Sequence, residues 1–219
     1  MLLYCLFGCL IAYIMGSIPT AVWYGKFYHN IDIRNYGSGN AGATNTFRIL
    51  GKKAGVIVMV VDVLKGWVAT SMALILNYFK VIPENLTIYF QFIFGIMAVM
   101  GHIFPVFAQF KGGKGIATLL GMVLSIHIYA ALICLGVFIL VFLTSHYVSL
   151  GSMVASLAYL VIMLIPTFSP EEPIVYVFGI TIFILVLITH RKNFKRLLKG
   201  EENKTYLFKK NNTSFLKSI

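Results

Sequence analysis

The sequence predicts an all-α integral membrane protein, a bundle of seven transmembrane helices with its N-terminus outside and its C-terminus cytoplasmic. Three observations carry this. Of 219 residues, 59% are hydrophobic and 11% charged, whereas soluble domains run near about 45–50% and about 25%. Apolar runs recur at the length, about 20 residues, that a helix needs to cross about 30 Å of hydrocarbon. Charge is also segregated. The eighteen bases fall, with the exceptions of Lys65 and Lys80, into residues 25–53, the segment near Lys111 and Lys114, and the stretch from Arg191 to Lys217. The positive-inside bias assigns those three segments to the cytoplasmic side. A net charge of +11 confined to one face of a membrane protein points to anionic lipid rather than nucleic acid.

Residues 2–24 form the first expected span. No base precedes Lys26, so this run reads as a membrane helix entering with its N-terminus outward rather than a cleaved signal. Gly16-Ser17-Ile18-Pro19-Thr20 should kink it, because proline lacks the N–H that continues the helix. Residues 54–79 form the second span, with Asp62 and Lys65 at i, i+3 as a self-neutralising pair. Residues 87–109 form the third, and 174–190, followed by a basic flank, the last.

Residues 116–166 contain no charge, and as one helix would be about 77 Å long, too long for one span and slightly short for three. With Lys114 inside and Glu171 and Glu172 outside, this stretch must cross an odd number of times. Three short spans are expected, broken near Ser125–His127 and Ser145–Ser149, with 116–126 as either a short span or a re-entrant helix. His127 and His146 then sit at helix ends. The organisation is one polytopic domain, 1–202, and a basic, loosely ordered tail, 203–219. Cys5, Cys9 and Cys134 lie in apolar stretches without metal-ligand spacing and read as packing residues.

Three cytoplasmic segments carry chemistry. The first runs from Arg34 to Arg48 and includes Gly37-Ser38-Gly39-Asn40-Ala41-Gly42-Ala43-Thr44-Asn45. Glycine allows close backbone approach, while Ser, Thr and Asn donate hydrogen bonds, as an oxyanion requires. An ordinary Gly- and Asn-rich loop has the same composition; the bracketing arginines favour a phosphate cradle. The second ends one span and opens another with Phe110-Lys111-Gly112-Gly113-Lys114-Gly115. Its glycines offer N–H groups and its lysines charge at a helix N-terminus, for an anion or as a membrane-edge anchor. It is not a Walker A loop, since Ala108 and Gly115 occupy positions where that motif needs Gly and Ser or Thr. The third, His190-Arg191-Lys192-Asn193 through Glu202, is a basic helix end that places His190 and Asn193 on one face; alone it reads first as a stop-transfer flank and only second as part of a site.

Together, GSGNAGATN, GHIFPVFAQFKGGKG and HRKNFKRLLKGEE resemble, in order and spacing, the three motifs of the bacterial acyl-phosphate:glycerol-3-phosphate acyltransferase family, from Gly16 to Glu202. The resemblance implies an enzyme of the bacterial cytoplasmic (inner) membrane, multi-pass, with its active site at the cytoplasmic face. It would move a fatty acyl group from acyl-phosphate to the sn-1 hydroxyl of glycerol 3-phosphate, giving lysophosphatidic acid and phosphate at the start of phospholipid synthesis. It further implies that Ser38, Asn40, Thr44, Asn45 and Arg48 hold one phosphate and Lys111, Gly112, Gly113 and Lys114 another. His190 and Asn193 complete a polar floor that Ser149 faces, and Gly200 and Glu202 meet the family's Gly-x-Glu.

Acyl-phosphate is already activated, so neither a covalent intermediate, nor a metal, nor another cofactor is expected. Lys111, Lys114 and Arg48 would stabilise the departing phosphate and developing oxyanion, and an apolar groove would take the chain. His102 or His190 could accept the hydroxyl proton, although the neighbours of His102 suit packing as well; the substrate's own phosphate is the favoured acceptor. No His is followed by Asp at the fifth residue, so the His-x4-Asp pattern of acyl-CoA and acyl-carrier-protein acyltransferases is absent. The expected partners are glycerol 3-phosphate, acyl-phosphate and membrane lipid, and no nucleic acid. The tail is a candidate contact for the acyl-phosphate-forming enzyme or for anionic lipid. An organic-phosphate transporter is the alternative, but its sites belong near the midplane between repeats, and no repeat is visible.

Overall fold

A computed structural model describes residues 2–165, 168 and 173–206. Glu171 and Glu172, expected at the outer surface, and residues 207–219 of the tail lie outside the described residues. The described chain is helical: α1 (Leu2–Gly16), α2 (Thr20–His29), α3 (Ala43–Leu50), α4 (Lys52–Tyr78), α5 (Glu84–Ile103), α6 (Ile116–Ile126), α7 (Ile128–Ser145), α8 (Val148–Ile162) and α9 (Ile174–Leu198).

Among the described residues, five segments are long and apolar enough to cross a membrane: Leu3–His29, Lys52–Tyr78, Glu84–Ala108, Ile128–Ser145 and Ile174–Leu198. The seven expected spans thus become five of full length and two shorter apolar helices, α6 with 11 residues and α8 with 15. At about 1.5 Å per residue α6 reaches about 16 Å, roughly half the hydrocarbon thickness. The breaks fall where polar residues were expected to place them. His127 caps the start of α7, its Nδ1 accepting from the Ala130 N–H at 3.2 Å. His146 ends α7 in a left-handed conformation (φ 62°).

The kink between α1 and α2 is latched by the buried pair on α4. Lys65 Nζ donates to the Ile18 carbonyl at 3.0 Å and to Asp62 Oδ1 at 2.8 Å, and Thr20 Oγ1 donates to Asp62 Oδ1 at 3.1 Å. One ion pair therefore neutralises itself and also satisfies a carbonyl at the break, which lipid could not. Helices α4 and α6 cross at backbone contact, because a Cβ on Gly121 would stand 2.0 Å from the Val63 carbonyl oxygen and one on Gly66 2.1 Å from that of Thr118. Small residues allow this approach in membranes. Gly121→Leu must push the two helices apart at a cost of about 3 kcal/mol. Its thermal midpoint in detergent, followed by intrinsic fluorescence, should drop by several degrees; an unchanged midpoint would contradict this crossing.

The main core gathers Phe92, Val99, Met122, Met153, Phe178, Ile182 and Val186 from α5, α6, α8 and α9. Outward, Leu6, Leu64, Leu132, Leu140, Leu157 and Ile188 are all exposed. So much uncovered apolar surface suits hydrocarbon and would be a liability in water.

Candidate active site at the polar end of the bundle

The 30–50 loop, the 104–115 loop, the α7–α8 turn and the end of α9 converge on one cavity of about 680 Å³. Its mouth is polar: Ser38, Asn40, Thr44, Arg48, His102, Lys114, Ser149, His190, Asn193, Arg196 and Glu202 line it. Its depth is apolar, lined by Leu119, Leu120, Val123, Leu135, Phe138, Ile182 and Val186. Such a space suits a molecule with a charged head and a hydrocarbon tail.

Glu202 organises the mouth. Its Oε1 accepts from Ser149 Oγ at 2.9 Å and from Asn193 Nδ2 at 2.6 Å, and its Oε2 from Arg196 Nε at 2.7 Å. Burial opposes its charge, but the hydrogen bonds from Asn193, Arg196 and Ser149 outweigh burial and hold the carboxyl below its usual range. Asn193 extends the chain by accepting from Lys114 Nζ through its own Oδ1. Burial is the main reason the Lys114 ammonium falls to about 8, with Arg196 and Arg48 adding to the fall and Glu202 opposing it. Glu202 can return to Asn193 because Gly200 adopts a left-handed conformation (φ 70°) and the Glu201 N–H caps the Arg196 carbonyl at 2.8 Å. This is the helix ending glycine favours.

His190 Nδ1 lies 2.9 Å from the Val186 carbonyl oxygen. A carbonyl only accepts, so Nδ1 carries a hydrogen, and in the neutral ring Nε2 keeps its lone pair. Two helices also begin at the cavity without a side-chain cap, α3 after Gly42 and α6 after Gly115. Their first N–H groups and positive dipole ends are two separate attractions for an anion.

The structure brings Ser38, Asn40, Thr44, Asn45, Arg48, His102, Gly113, Lys114, Ser149, His190, Asn193 and Glu202 to one cavity and leaves Gly112 outside its lining. Lys111 is exposed and does not line the cavity. Gln109 and Phe110 both take left-handed φ (58°) and turn the chain so that only Lys114 reaches inward. The N–H groups of Gly112 and Gly113 are not free for an anion, since they donate to the Ile103 and His102 carbonyls, each at 3.1 Å. Both glycines are instead demanded by close packing on His102: a Cβ would lie 2.0 Å from its carbonyl oxygen at Gly112 and 2.2 Å from its Nε2 at Gly113.

The Asn45 amide is occupied in holding the first loop. It donates to the Ile33 and Tyr36 carbonyls at 3.1 and 3.0 Å and accepts from the Ser38 N–H at 3.0 Å. Arg34, which marked the cradle in the sequence, is neutralised by Asp32 through contacts of 2.9 and 2.6 Å and donates to the Ala108 carbonyl at 2.8 Å. It staples the two loops together, with its charge met by Asp32. Residues 203–206 are also not loose, since Thr205 is buried and bonded to Arg48.

Three features escaped the sequence reading. Asp62 lines the cavity and lies 3.6 Å from His102 Nδ1, so the latch of the kink is also the support of the histidine. Arg196 joins Glu202, which its i, i+3 spacing from Asn193 could have suggested. Thr205 meets Arg48 across 157 positions, which no local pattern shows.

The sequence model of the family described as Glycerol-3-phosphate acyltransferase matches residues 6–200. Among similar proteins is the glycerol-3-phosphate acyltransferase of Listeria welshimeri, 45% identical, with 89% of this chain and 93% of that protein covered. Glycerol-3-phosphate acyltransferase 2 of Bacillus anthracis is 43% identical, with coverage of 89% and 96%. The corresponding protein of Chlorobaculum tepidum is 38% identical, with coverage of 92% and 96%. Among solved structures, the crystal structure of PlsY (YgiH), an integral membrane glycerol 3-phosphate acyltransferase, in its glycerol 3-phosphate form superposes with TM-score 0.80 at 35% identity, covering 94% of this chain and 100% of that one. Its lysophosphatidic acid form gives TM-score 0.79 at 34% identity, covering 93% and 96%.

Proposed function

The chain belongs to the glycerol-3-phosphate acyltransferase family, and from that premise we propose that this cavity transfers a fatty acyl group from acyl-phosphate to the sn-1 hydroxyl of glycerol 3-phosphate. The observation that carries the reading is one cavity with two uncapped helix N-termini and the Arg48 and Lys114 cations at its mouth, and a hydrocarbon lining in its depth. The reaction has two phosphates and one acyl chain to hold.

The substrate hydroxyl oxygen attacks the acyl carbonyl carbon, the bond from that carbon to the phosphate oxygen breaks, and inorganic phosphate leaves. Lys114 and the α6 N-terminus stabilise the phosphate as it departs. Ser38, Asn40, Thr44, the α3 N-terminus and Arg48 hold the other phosphate. Asn193, Ser149 and Glu202 fix the Lys114 ammonium, and the helices around Phe138 and Ile182 hold the chain. These groups supply the positive charge, so no metal is needed. The bundle spans the bacterial inner membrane, with this cavity at the cytoplasmic end where the basic segments gather. Lys111 acts only from the rim.

The proton goes to the phosphate of glycerol 3-phosphate. A side-chain general base contributes about 10²–10⁴-fold. His190→Gln should therefore lose less than about 100-fold in kcat, and a greater loss would move the base to His190. The reading itself is tested with purified protein in detergent, comparing acyl-phosphate, acyl-CoA and acyl carrier protein as donors without added metal. Lysophosphatidic acid from acyl-phosphate alone is expected; equal turnover with acyl-CoA would overturn the donor assignment.

A further inference from the structure

Four guanidinium groups stand near the mouth of the cavity: Arg191 is exposed, and two others are committed to carboxylates, Arg34 to Asp32 and Arg196 to Glu202. Arg48 is held differently. Its Nε and Nη2 donate to Thr205 Oγ1 at 3.0 and 2.7 Å, and Nη2 also donates to the Asn203 carbonyl at 3.0 Å. Among the described residues Nη1 has no hydrogen-bond partner. A neutral hydroxyl and a carbonyl fix the orientation of a guanidinium without cancelling its charge, whereas a carboxylate does both.

The segment carrying Thr205 is itself pinned. After the turn at Gly200, Glu202 enters the polar chain, the Thr205 N–H donates to the His146 carbonyl at 2.9 Å, and the Tyr206 ring packs tilted against His146 with ring centroids 4.7 Å apart. Thr205 is 6% exposed. Thr205 lies beyond residue 200, the last that the family's sequence model matches.

We propose that Thr205 is a positioning residue that holds the Nε–Nη2 edge of Arg48 from behind and thereby presents Nη1 to the substrate phosphate. This rests on the acyltransferase reading of the cavity. Burial, reinforced by Arg196 and opposed by Glu202, pushes the Arg48 guanidinium below its ordinary value. A bound phosphate supplies the opposite charge the site lacks.

The test uses the full chain in detergent, with kcat/KM for glycerol 3-phosphate and the affinity for inorganic phosphate as readouts. Thr205→Val should lower kcat/KM by about tenfold and weaken phosphate binding by a similar factor, with an unchanged thermal midpoint, and Thr205→Ser should recover most of both. In an Arg48→Ala background the Thr205→Val change should cost nothing more. Wild-type behaviour of Thr205→Val, or the same loss in the Arg48→Ala background, would overturn the proposal; if the valine variant fails to fold, Thr205→Ala takes its place. A wild-type protein that makes no lysophosphatidic acid would instead refute the acyltransferase reading, and phosphate binding by calorimetry would still decide the Thr205–Arg48 coupling.

Discussion

Lys114→Ala is expected to lower kcat/KM for lysophosphatidic acid formation by about 100- to 1,000-fold, the range seen when one preorganised donor is removed from a developing anion. The protein should still fold, because Lys114 lies in the loop that precedes α6 and Asn193, its side-chain partner among the described residues, keeps its bond to Glu202. The same residue sets a pH dependence. Burial has lowered its ammonium to about 8, so the charged form is complete below that pH and is lost as pH rises through it. Activity should fall on the alkaline side of about 8, and Lys114→Arg, which stays charged, should extend whatever activity it keeps to higher pH. A flat profile between pH 7 and 10 in the wild type would show that this ammonium is not the working charge.

Glu202→Ala should be nearly as damaging, for a different reason. It leaves Asn193, Ser149 and Arg196 without their common acceptor. Removing one member of a buried pair costs about 3 kcal/mol or more; here the cost is smaller, because the Arg196 side chain is 34% exposed and water can replace the carboxylate. Activity should drop by about 100-fold or more, since Lys114 is positioned through Asn193 and a small misplacement is magnified in the rate. The carboxyl is held below its usual value of 4.5. Its contribution to stability is therefore complete above that value and disappears as pH falls through the lower, folded one. Wild-type protein should lose more thermal stability than Glu202→Gln on acidification from pH 6 to pH 3, measured by detergent unfolding. Equal losses would place the acid-sensitive group elsewhere.

Lys114 and Lys111 show where sequence patterns stop. Both stand three apart beside glycines, and the motif treats them alike. Which of them faces the cavity depends on the left-handed turn at Gln109 and Phe110, residues whose types do not announce that conformation. Within helices the pattern was legible. Asp62 with Lys65 and His190 with Asn193 share faces because the helical repeat places i, i+3 side chains together. The breaks at His127 and His146 follow from polar residues interrupting a chargeless apolar stretch. Gly112 and Gly113 were expected as anion donors, and instead lie close on His102. The residue type was informative and its cause was not, since close approach to an anion and close approach to another segment both select glycine.

The sequence by itself determined the solvent of this protein, its helical architecture, the family to which it belongs, and the polar segments that gather at one end of the bundle. Each follows from local quantities: composition, run length, charge placement and short-range spacing, which do not depend on how the helices pack. Only the tertiary structure decided which cations are free and which are spent. Arg34 is cancelled by Asp32 and tied to a carbonyl 74 positions away, Arg196 is committed to Glu202, and Arg48 is held by a neutral hydroxyl from beyond the last motif. A cation acts on a phosphate only with the charge its neighbours leave uncompensated, and those neighbours are assembled by packing between segments that the linear order keeps far apart.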